Sequence, residues 1–266
     1  MILQNKSALV YGAGGSLGSS VSKALAAAGA CLFLTGHHVH SVQKTADEII
    51  ALGGIAEADQ VDALDENAVK QHLDNVLKKT GSIDISFNAV GVKVIQNIPL
   101  TSMLVNDFTN PISFMLRAQF ITATAAGRVM MKQGSGVILS LTATPGGIGY
   151  PYTGGFAPAC SGLESFSRNL ASELGVFGVR VVNMRSGGSP DSRVFKDAIN
   201  SQPDAMKSIL QKMEEDTMLE KLPLMTDIAN LAVFLSSELA GKITGVTVDI
   251  TCGTTNALNY KVSLND

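Results

Sequence analysis

Residues 7–18 read SALVYGAGGSLG, an apolar run followed by a glycine-rich turn. Ser7–Tyr11 has the length and composition of a buried strand, and apolar residues recur at helical spacing over 17–28. Glycine in such a turn lets the backbone approach a phosphate, and the helix N-terminus adds unpaired N–H groups and the positive end of a dipole. The stretch therefore predicts a nucleotide-binding turn over 12–18, with a tight turn that binds nothing as the alternative.

The rest of the chain alternates between strand and helix signals. Further strands are predicted over 31–34, 55–61, 83–87, 137–141, 179–184 and 246–250. Helices are predicted over 17–28, 39–52, 66–79, 107–131, 162–174 and 227–235. Such alternation implies parallel strands, right-handed crossovers and helices on both faces, and strands buried on both sides read as continuous apolar runs. The predicted fold class is α/β, a Rossmann-like doubly wound parallel sheet of about seven strands in three α/β/α layers.

Composition limits the classes of protein that fit. The 266 residues suit a single domain over 1–266, and 45% hydrophobic residues provide a core. A formal net charge of -3 without a basic run argues against nucleic acid or a membrane as partner. The cysteines, Cys31, Cys160 and Cys252, are odd in number and far apart, which argues against a disulfide framework or a metal site and favours the cytoplasm. No stretch approaches the ~18 apolar residues of a membrane span.

One region breaks the alternation. Residues 184–226 are polar and irregular, and they follow a late strand at the carboxyl edge of the predicted sheet. Doubly wound proteins bind ligands beyond this edge, so an insertion at about 187–225 is predicted to be a substrate lid. The alternative is a surface helical insertion without a ligand.

Several ordered motifs give the chain a family resemblance. They are Tyr11-Gly12-x3-Ser16-x-Gly18, Asp62-Ala63 after the third strand, Asn88-Ala89-Val90-Gly91 after the fourth, and Ser186-Gly187 after the sixth. In this order they resemble the motifs of short-chain dehydrogenases/reductases over nearly the whole chain, with serine in place of the middle glycine of the first motif. The resemblance implies a nicotinamide dinucleotide as cofactor. It also implies cofactor-binding roles for Gly12, Ser16, Leu17, Gly18, His37, Asp62, Ala63, Asn88, Ala89, Gly91, Ser186 and Gly187.

The second strand bears on the choice of cofactor. Its end reads Thr35-Gly36-His37-His38, without the carboxylate that would accept a hydrogen bond from the ribose 2′-OH of NAD. Family members that prefer NADP usually carry an arginine after such a glycine, and His37 resembles it. NADP(H) is therefore expected over NAD(H), although imidazole is a weaker phosphate partner than guanidinium. The alternative is that both histidines are exposed loop residues.

The catalytic residues of the family are mostly replaced. The resemblance implies a serine, a tyrosine, a lysine and a helical asparagine, and the aligned positions hold Thr142, Phe156, Cys160 and Met115. Phenylalanine has no proton to give, and a neutral thiol cannot supply the charge that lowers the pKa of a phenol from near ~10. The chain is thus predicted to be a divergent member with a degenerate active site and no metal.

Other side chains are candidates for the missing acid. Tyr152 precedes Phe156 by four residues in the loop that borders the predicted substrate pocket, and Lys93 follows the Asn88 motif. The proposed catalytic residues are accordingly Thr142 and Tyr152. Cys160 is expected to be a buried, inert thiol rather than a reactive thiolate.

Three functions remain open at this point. The chain is an oxidoreductase for a carbonyl or alcohol with a relocated acid, a non-catalytic dinucleotide sensor or subunit, or a non-redox enzyme that reuses the pocket. Apolar helix faces and a methionine-containing lid suggest a small, apolar substrate. The resemblance further implies a homodimer or homotetramer assembled through the helices predicted at 107–131 and 162–174.

Overall fold

A single parallel sheet forms the centre of the fold in the computed structural model, which describes residues 1–256. Residues 257–266, the end of the predicted domain range, lie outside the described residues. The strands are β1 (Ser7–Tyr11), β2 (Cys31–Gly36), β3 (Ile55–Gln60), β4 (Ile85–Asn88), β5 (Gly136–Ala143), β6 (Val179–Ser186) and β7 (Thr247–Ile250). Their order in the sheet is β3-β2-β1-β4-β5-β6-β7, and every neighbouring pair is parallel. The predicted doubly wound sheet is confirmed.

Helices cover both faces of this sheet. They are α1 (Ser16–Ala27), α2 (Val39–Ala51), α3 (Glu66–Thr80), α4 (Val105–Gln133), α5 (Phe156–Leu174), α6 (Arg193–Ser201), α7 (Pro203–Glu215) and α8 (Met225–Ser236). The apolar sides of α1, α2 and α8 form one core with the sheet, and those of α3, α4 and α5 form the other. Among the helices of residues 1–256, none combines the length and apolar character that crossing a bilayer requires.

Two parts of the fold differ in detail from the sequence prediction. α5 begins at Phe156 rather than 162, because Pro158 falls in its first turn, where no intrahelical N–H bond is lost. The region 187–225, predicted to be a lid with a surface helical insertion as the alternative, contains α6 and α7, neither of which has a buried residue. α6 nevertheless carries apolar residues at helical spacing, namely Val194, Phe195, Ala198 and Ile199.

The position of β3 in the sheet explains why its sequence, Ile-Ala-Glu-Ala-Asp-Gln, is not a continuous apolar run. It is an edge strand, and its burial alternates with most residues exposed, whereas β1 in the centre of the sheet is buried throughout. Continuous apolar runs belong to strands covered on both sides. In the strand order, β2 and β3 lie on one side of β1, and β4 to β7 lie on the other. The strand order therefore reverses between β1 and β4, which places a topological switch point at the carboxyl ends of these two strands.

Candidate active site

The carboxyl ends of strands β1 and β4 approach each other closely at the switch point. The Ala89 amide donates to the Tyr11 carbonyl at 2.8 Å. Gly12 follows β1 with φ +77°, and a Cβ built on it would lie 2.7 Å from the Ala89 carbonyl oxygen. Both the backbone conformation and the contact therefore require glycine at this position.

The turn continues directly into the N-terminus of α1. The Gly15 amide donates to the Gly12 carbonyl at 3.1 Å, and a Cβ on Gly18 would lie 2.3 Å from the same oxygen. Gly15 is the N-cap and gives no side-chain hydrogen bond to the helix end. The first N–H groups of α1 consequently keep the unpaired state that suits an anion.

Ser16 and Leu17 occupy the first two positions of α1. The Ser16 hydroxyl accepts a hydrogen bond of 3.0 Å from the backbone amide of Arg193, the first residue of α6. Leu17 packs in part against the core beneath the turn. The insertion after β6 thus touches the predicted phosphate-binding turn.

His37 and His38 lie exposed at the end of β2. Their rings meet edge to face with centroids 4.9 Å apart. The His37 carbonyl accepts from the Gln60 side chain at 3.1 Å, which connects this loop to the end of β3. Residues 35–38 contain no carboxylate that would repel a 2′-phosphate.

Asp62 and Ala63 follow β3 at the same edge of the sheet. The Asp62 carboxylate accepts from the Leu64 amide at 2.9 Å and shapes the turn into α3, while Ala63 is buried. Asp62 remains exposed, so its second oxygen is accessible to a ligand.

Asn88 organises the loop after β4. Its side-chain oxygen accepts from the Val90 amide at 2.9 Å, and its amide group donates to the Thr122 hydroxyl on α4 at 2.8 Å. Gly91 follows in open space, where a Cβ would meet no atom within 4 Å. Asn88 therefore holds the backbone of the loop in place through its side chain. The described residues around Gly91 leave room for a larger side chain there.

Ser186 and Gly187 lie at the carboxyl end of β6, on the side of the site next to β7. Ser186 is buried, and its hydroxyl donates to the Gly187 carbonyl at 3.1 Å. The Gly187 amide donates to the Ile250 carbonyl at 3.3 Å. The predicted cofactor residues thus all lie at the carboxyl ends of the strands, in the turns that follow them or in the first turn of α1.

Phe156 and Cys160 lie one turn apart in α5, where residues four apart share a face. Phe156 is half-buried and Cys160 is fully buried. Burial raises the pKa of the Cys160 thiol to about 11, although a hydrogen bond with the Ala143 backbone opposes the rise. The thiol is protonated at neutral pH, so it offers neither a charge nor a nucleophile. Met115, at the position implied for the asparagine, is half-buried in α4.

The Thr142 hydroxyl is engaged by neighbouring polar groups. It donates to the Glu164 carboxylate of α5 at 2.9 Å. It also accepts from the Asn183 side chain at 2.8 Å, and it is buried. With its proton engaged and its oxygen occupied, this hydroxyl belongs to a network under α5.

That network is a feature that sequence reasoning missed. Glu164 is buried in α5 and pairs through both carboxylate oxygens with Arg185 of β6, at 2.9 Å to Nε and 2.5 Å to Nη2. Arg185 also donates to Asp249 of β7 at 2.9 Å. Thr142, Arg185 and Asp249 lie side by side in adjacent strands. The only sequence signal was an acidic residue within the apolar face of a helix, eight residues after Phe156.

The candidate replacement groups lie in two different loops. Tyr152 is 56% exposed with φ 61°, and its carbonyl accepts from the Asn97 amide at 2.9 Å. This bond connects the loop before α5 to the segment after β4. Lys93 lines a separate cavity with residues of α4. Within residues 1–256, no cluster of histidine, cysteine and carboxylate side chains is suited to a metal ion.

Comparison with known proteins places these features in a family. The family model described as enoyl-(acyl carrier protein) reductase matches residues 12–255. An uncharacterized oxidoreductase of Caenorhabditis elegans is 30% identical over 258 residues, which cover 94% of this chain and 80% of the relative. The 3-oxoacyl-[acyl-carrier-protein] reductase FabG of Staphylococcus epidermidis is 29% identical over 255 residues, covering 94% and 98%. The crystal structure of levodione reductase, 24% identical, superposes with a TM-score of 0.88 over 96% of this chain and 100% of that one.

Proposed function

The chain belongs to the short-chain dehydrogenase/reductase family, and on that premise we propose that it is an NADP(H)-dependent oxidoreductase. The proposed reaction is hydride transfer between the dinucleotide and a carbonyl or alcohol, carried out without the family's tyrosine–lysine pair. The turn over 12–18 carries the proposal. Its two sterically required glycines and uncapped helix end form a cradle of the kind that a pyrophosphate fits.

Each part of the cleft has a proposed role in holding the dinucleotide. Gly12 and Gly18 let the backbone approach the pyrophosphate, and Ser16 and Leu17 supply N–H groups at the helix end. Around them, Asp62 and Ala63 face the adenine, and Asn88, Ala89, Gly91, Ser186 and Gly187 border the rest of the cleft. A nicotinamide dinucleotide, when bound, supplies or accepts the hydride.

The proposed preference for NADP(H) rests on the end of β2. The absence of a carboxylate from residues 35–38 removes the group that would select the ribose 2′-OH of NAD and repel a 2′-phosphate. His37 and His38 are exposed beside this position, and their ring N–H groups are hydrogen-bond donors of the kind that a phosphate accepts.

Tyr152 is the proposed source of the proton. It is exposed in the loop before α5, and its left-handed backbone conformation is uncommon for a bulky side chain. Strained positions of this kind cluster at functional sites. Thr142 is proposed to act only as a positioning residue, through Glu164 and Asn183.

A small, apolar substrate is proposed, and an acyl chain is the class that fits best. The family description and the Staphylococcus epidermidis relative both name reductases of acyl groups on a carrier protein. The reacting carbonyl would then adjoin a hydrocarbon chain, in keeping with Phe156, Cys160 and Met115 at positions where the family resemblance implies polar side chains.

A second candidate function is a non-catalytic dinucleotide sensor or subunit. It is favoured by the protonated, fully buried Cys160 and by the Thr142 hydroxyl, which is engaged by Glu164. Neither group is available to assist proton transfer. Turnover distinguishes the two candidates.

The first experiment measures cofactor binding by isothermal titration calorimetry with NADPH and NADH. NADPH is expected to bind more tightly, and Gly12→Ala is expected to abolish binding because its Cβ would meet the Ala89 carbonyl. Gly53→Ala is the matched control, since Gly53 has φ +83° but no atom within 4 Å of the added Cβ. Tighter NADH binding would overturn the preference, and no binding of either at millimolar concentration would overturn the function.

The second experiment locates the acid. NADPH oxidation with a 3-oxoacyl thioester is measured for wild type, Tyr152→Phe, and Phe156→Tyr with Cys160→Lys. We expect slow wild-type turnover, a further loss of about 10²-fold or more in Tyr152→Phe, and a gain in the double variant that exceeds either single change. Turnover unaffected by Tyr152→Phe removes Tyr152 from the mechanism, and binding without turnover supports the sensor.

Three further properties belong to the proposal. α6 and α7 act as the substrate lid of one domain, which is supported by the contact between Arg193 and Ser16. The protein resides in the cytoplasm, in keeping with three free cysteines. It forms a homodimer or homotetramer through α4 and α5, where Phe120 and Phe166 meet at the surface with ring centroids 6.0 Å apart.

A further inference from the structure

An open cavity of about 350 Å³ lies beside the candidate cleft and carries a concentration of hydrogen-bond donors. Its polar wall consists of Lys93, from the loop after β4, and Asn110, Ser113 and Arg117 of α4. The α4 residues follow the spacing of one helix face. Two cations from different elements therefore border the same space.

The polar groups of this wall have no partner among the residues that the structure describes. Throughout residues 1–256, the side chains of Lys93, Asn110, Ser113 and Arg117 make no hydrogen bond or ion pair. Of the acids close to the lining residues in sequence, Asp62 and Asp65 each accept from backbone amides of their own turns through one oxygen, and Asp107 lies one turn before Asn110 in α4. Like charges that face one space repel each other, and an anion between them removes that cost.

The remaining lining residues are apolar. Leu64 follows β3, Val92 follows β4, and Phe114 lies between Asn110 and Arg117 on the same face of α4. A site with an apolar wall and a few convergent polar groups is the usual design of a small-molecule pocket, and this volume lies within the common range of ~300–1,000 Å³.

We propose that the cavity lined by Lys93 and Arg117 binds a phosphate monoester whose organic part is apolar, at a site separate from the dinucleotide. A phosphate monoester carries about -1.5 to -2 charges and three acceptor oxygens, which match two cations and two neutral donors. A carboxylate, with one charge and two oxygens, matches the same wall less well. Leu64, Val92 and Phe114 receive the apolar part.

The test uses phenyl phosphate as the probe and isothermal titration calorimetry of the full chain without dinucleotide. Saturable binding is expected, weaker at high salt because the contacts are charged. Lys93→Met and Arg117→Gln are each expected to weaken binding by about tenfold to a hundredfold. Both residues are exposed, so neither change disturbs the core. Lys78→Met, at an exposed lysine of α3 outside the cavity, is the matched control and is expected to bind as wild type.

Two further titrations make the assignment specific. Benzoate is expected to bind more weakly than phenyl phosphate, and tighter benzoate binding would overturn the phosphate class. Phenyl phosphate is expected to bind with a similar constant when NADPH is present. Competition between the two would overturn the separate site and would leave the proposed cofactor function standing. The proposal itself would be overturned if millimolar phenyl phosphate did not bind. It would also be overturned if Lys93→Met and Arg117→Gln bound phenyl phosphate as tightly as the wild-type protein.

Discussion

At the scale of single residues, Tyr11 and His72 form an unusual buried pair. Their rings meet edge to face with centroids 6.5 Å apart, between β1 and α3. Within residues 1–256, neither the Tyr11 hydroxyl nor either nitrogen of His72 has a hydrogen-bond partner. Burial raises the pKa of Tyr11 above its usual value and lowers that of His72, although the Asp59 carboxylate, 3.5 Å from Nε2, partly opposes the second shift.

The His72 shift predicts how stability depends on pH. Since its pKa in the folded protein lies below the unfolded value near ~6.5, the unfolded chain binds the proton first. The stabilising contribution is therefore complete above about pH 6.5 and is lost as the pH falls through the folded pKa. Urea unfolding at pH 7.5 and 5.5 should give a smaller drop in His72→Leu than in wild type. His40→Leu, at an exposed histidine, should keep the wild-type drop, and equal drops in all three would contradict the assignment.

At the scale of elements, a buried polar network joins α5 to three neighbouring strands. Thr142, Arg185 and Asp249 occupy one row across β5, β6 and β7, and Glu164 of α5 contacts the first two. A second row, one pleat below, contains the hydrogen bond of 2.8 Å from Ser140 to Asn183. These bonds fix the height of α5 over the sheet and thereby the position of Phe156 and Cys160.

Breaking this network should be costly. Glu164→Ala leaves the Arg185 guanidinium with Asp249 alone and removes the nearer of the two acceptors of the Thr142 hydroxyl. Removal of one partner from a buried ion pair typically costs about 3–5 kcal/mol. Chemical denaturation of Glu164→Ala should show a loss of about 3 kcal/mol in the free energy of unfolding. Glu173→Ala, at an exposed glutamate of the same helix, should change it by less than about 0.5 kcal/mol.

The same elements indicate what sequence reading can and cannot reach. β1 and the turn after it were predictable because strand, glycine spacing and helix are adjacent in the chain. The Glu164–Arg185–Asp249 network was not, because its members lie far apart in sequence and meet only through the register of β5, β6 and β7. The hydrogen bonds of Thr142 could not be predicted for the same reason, since its partners are supplied by tertiary packing.

At the scale of the whole molecule, exposed aromatic surface on the long helices bears on assembly. Phe120 of α4 is 55% exposed beside Phe166 of α5. An exposed aromatic side chain on the surface of two packed helices is typical of a protein–protein interface. Because α4 and α5 pack against each other, a second copy of the chain that binds at Phe120 and Phe166 covers both helices.

Assembly through this face predicts a specific effect of added charge. Phe120→Arg places a cation in the proposed contact and should shift the protein to monomers, as measured by size-exclusion chromatography with light scattering. Leu52→Arg, at an 83% exposed residue after α2, adds the same charge elsewhere and should leave the mass unchanged. A Phe120→Arg protein of wild-type mass would exclude α4 and α5 as the contact.

The hydrogen bond between the Ser16 hydroxyl and the Arg193 amide has a consequence for dinucleotide binding at the cleft. It connects the first turn of α1 to the first turn of α6. A ligand phosphate would accept the Ser16 O–H, whereas the Arg193 amide donates to the Ser16 oxygen, so one hydroxyl serves both partners at once. Reciprocity then requires that a change which weakens the Arg193 contact lowers dinucleotide affinity by the factor with which the dinucleotide strengthens the contact.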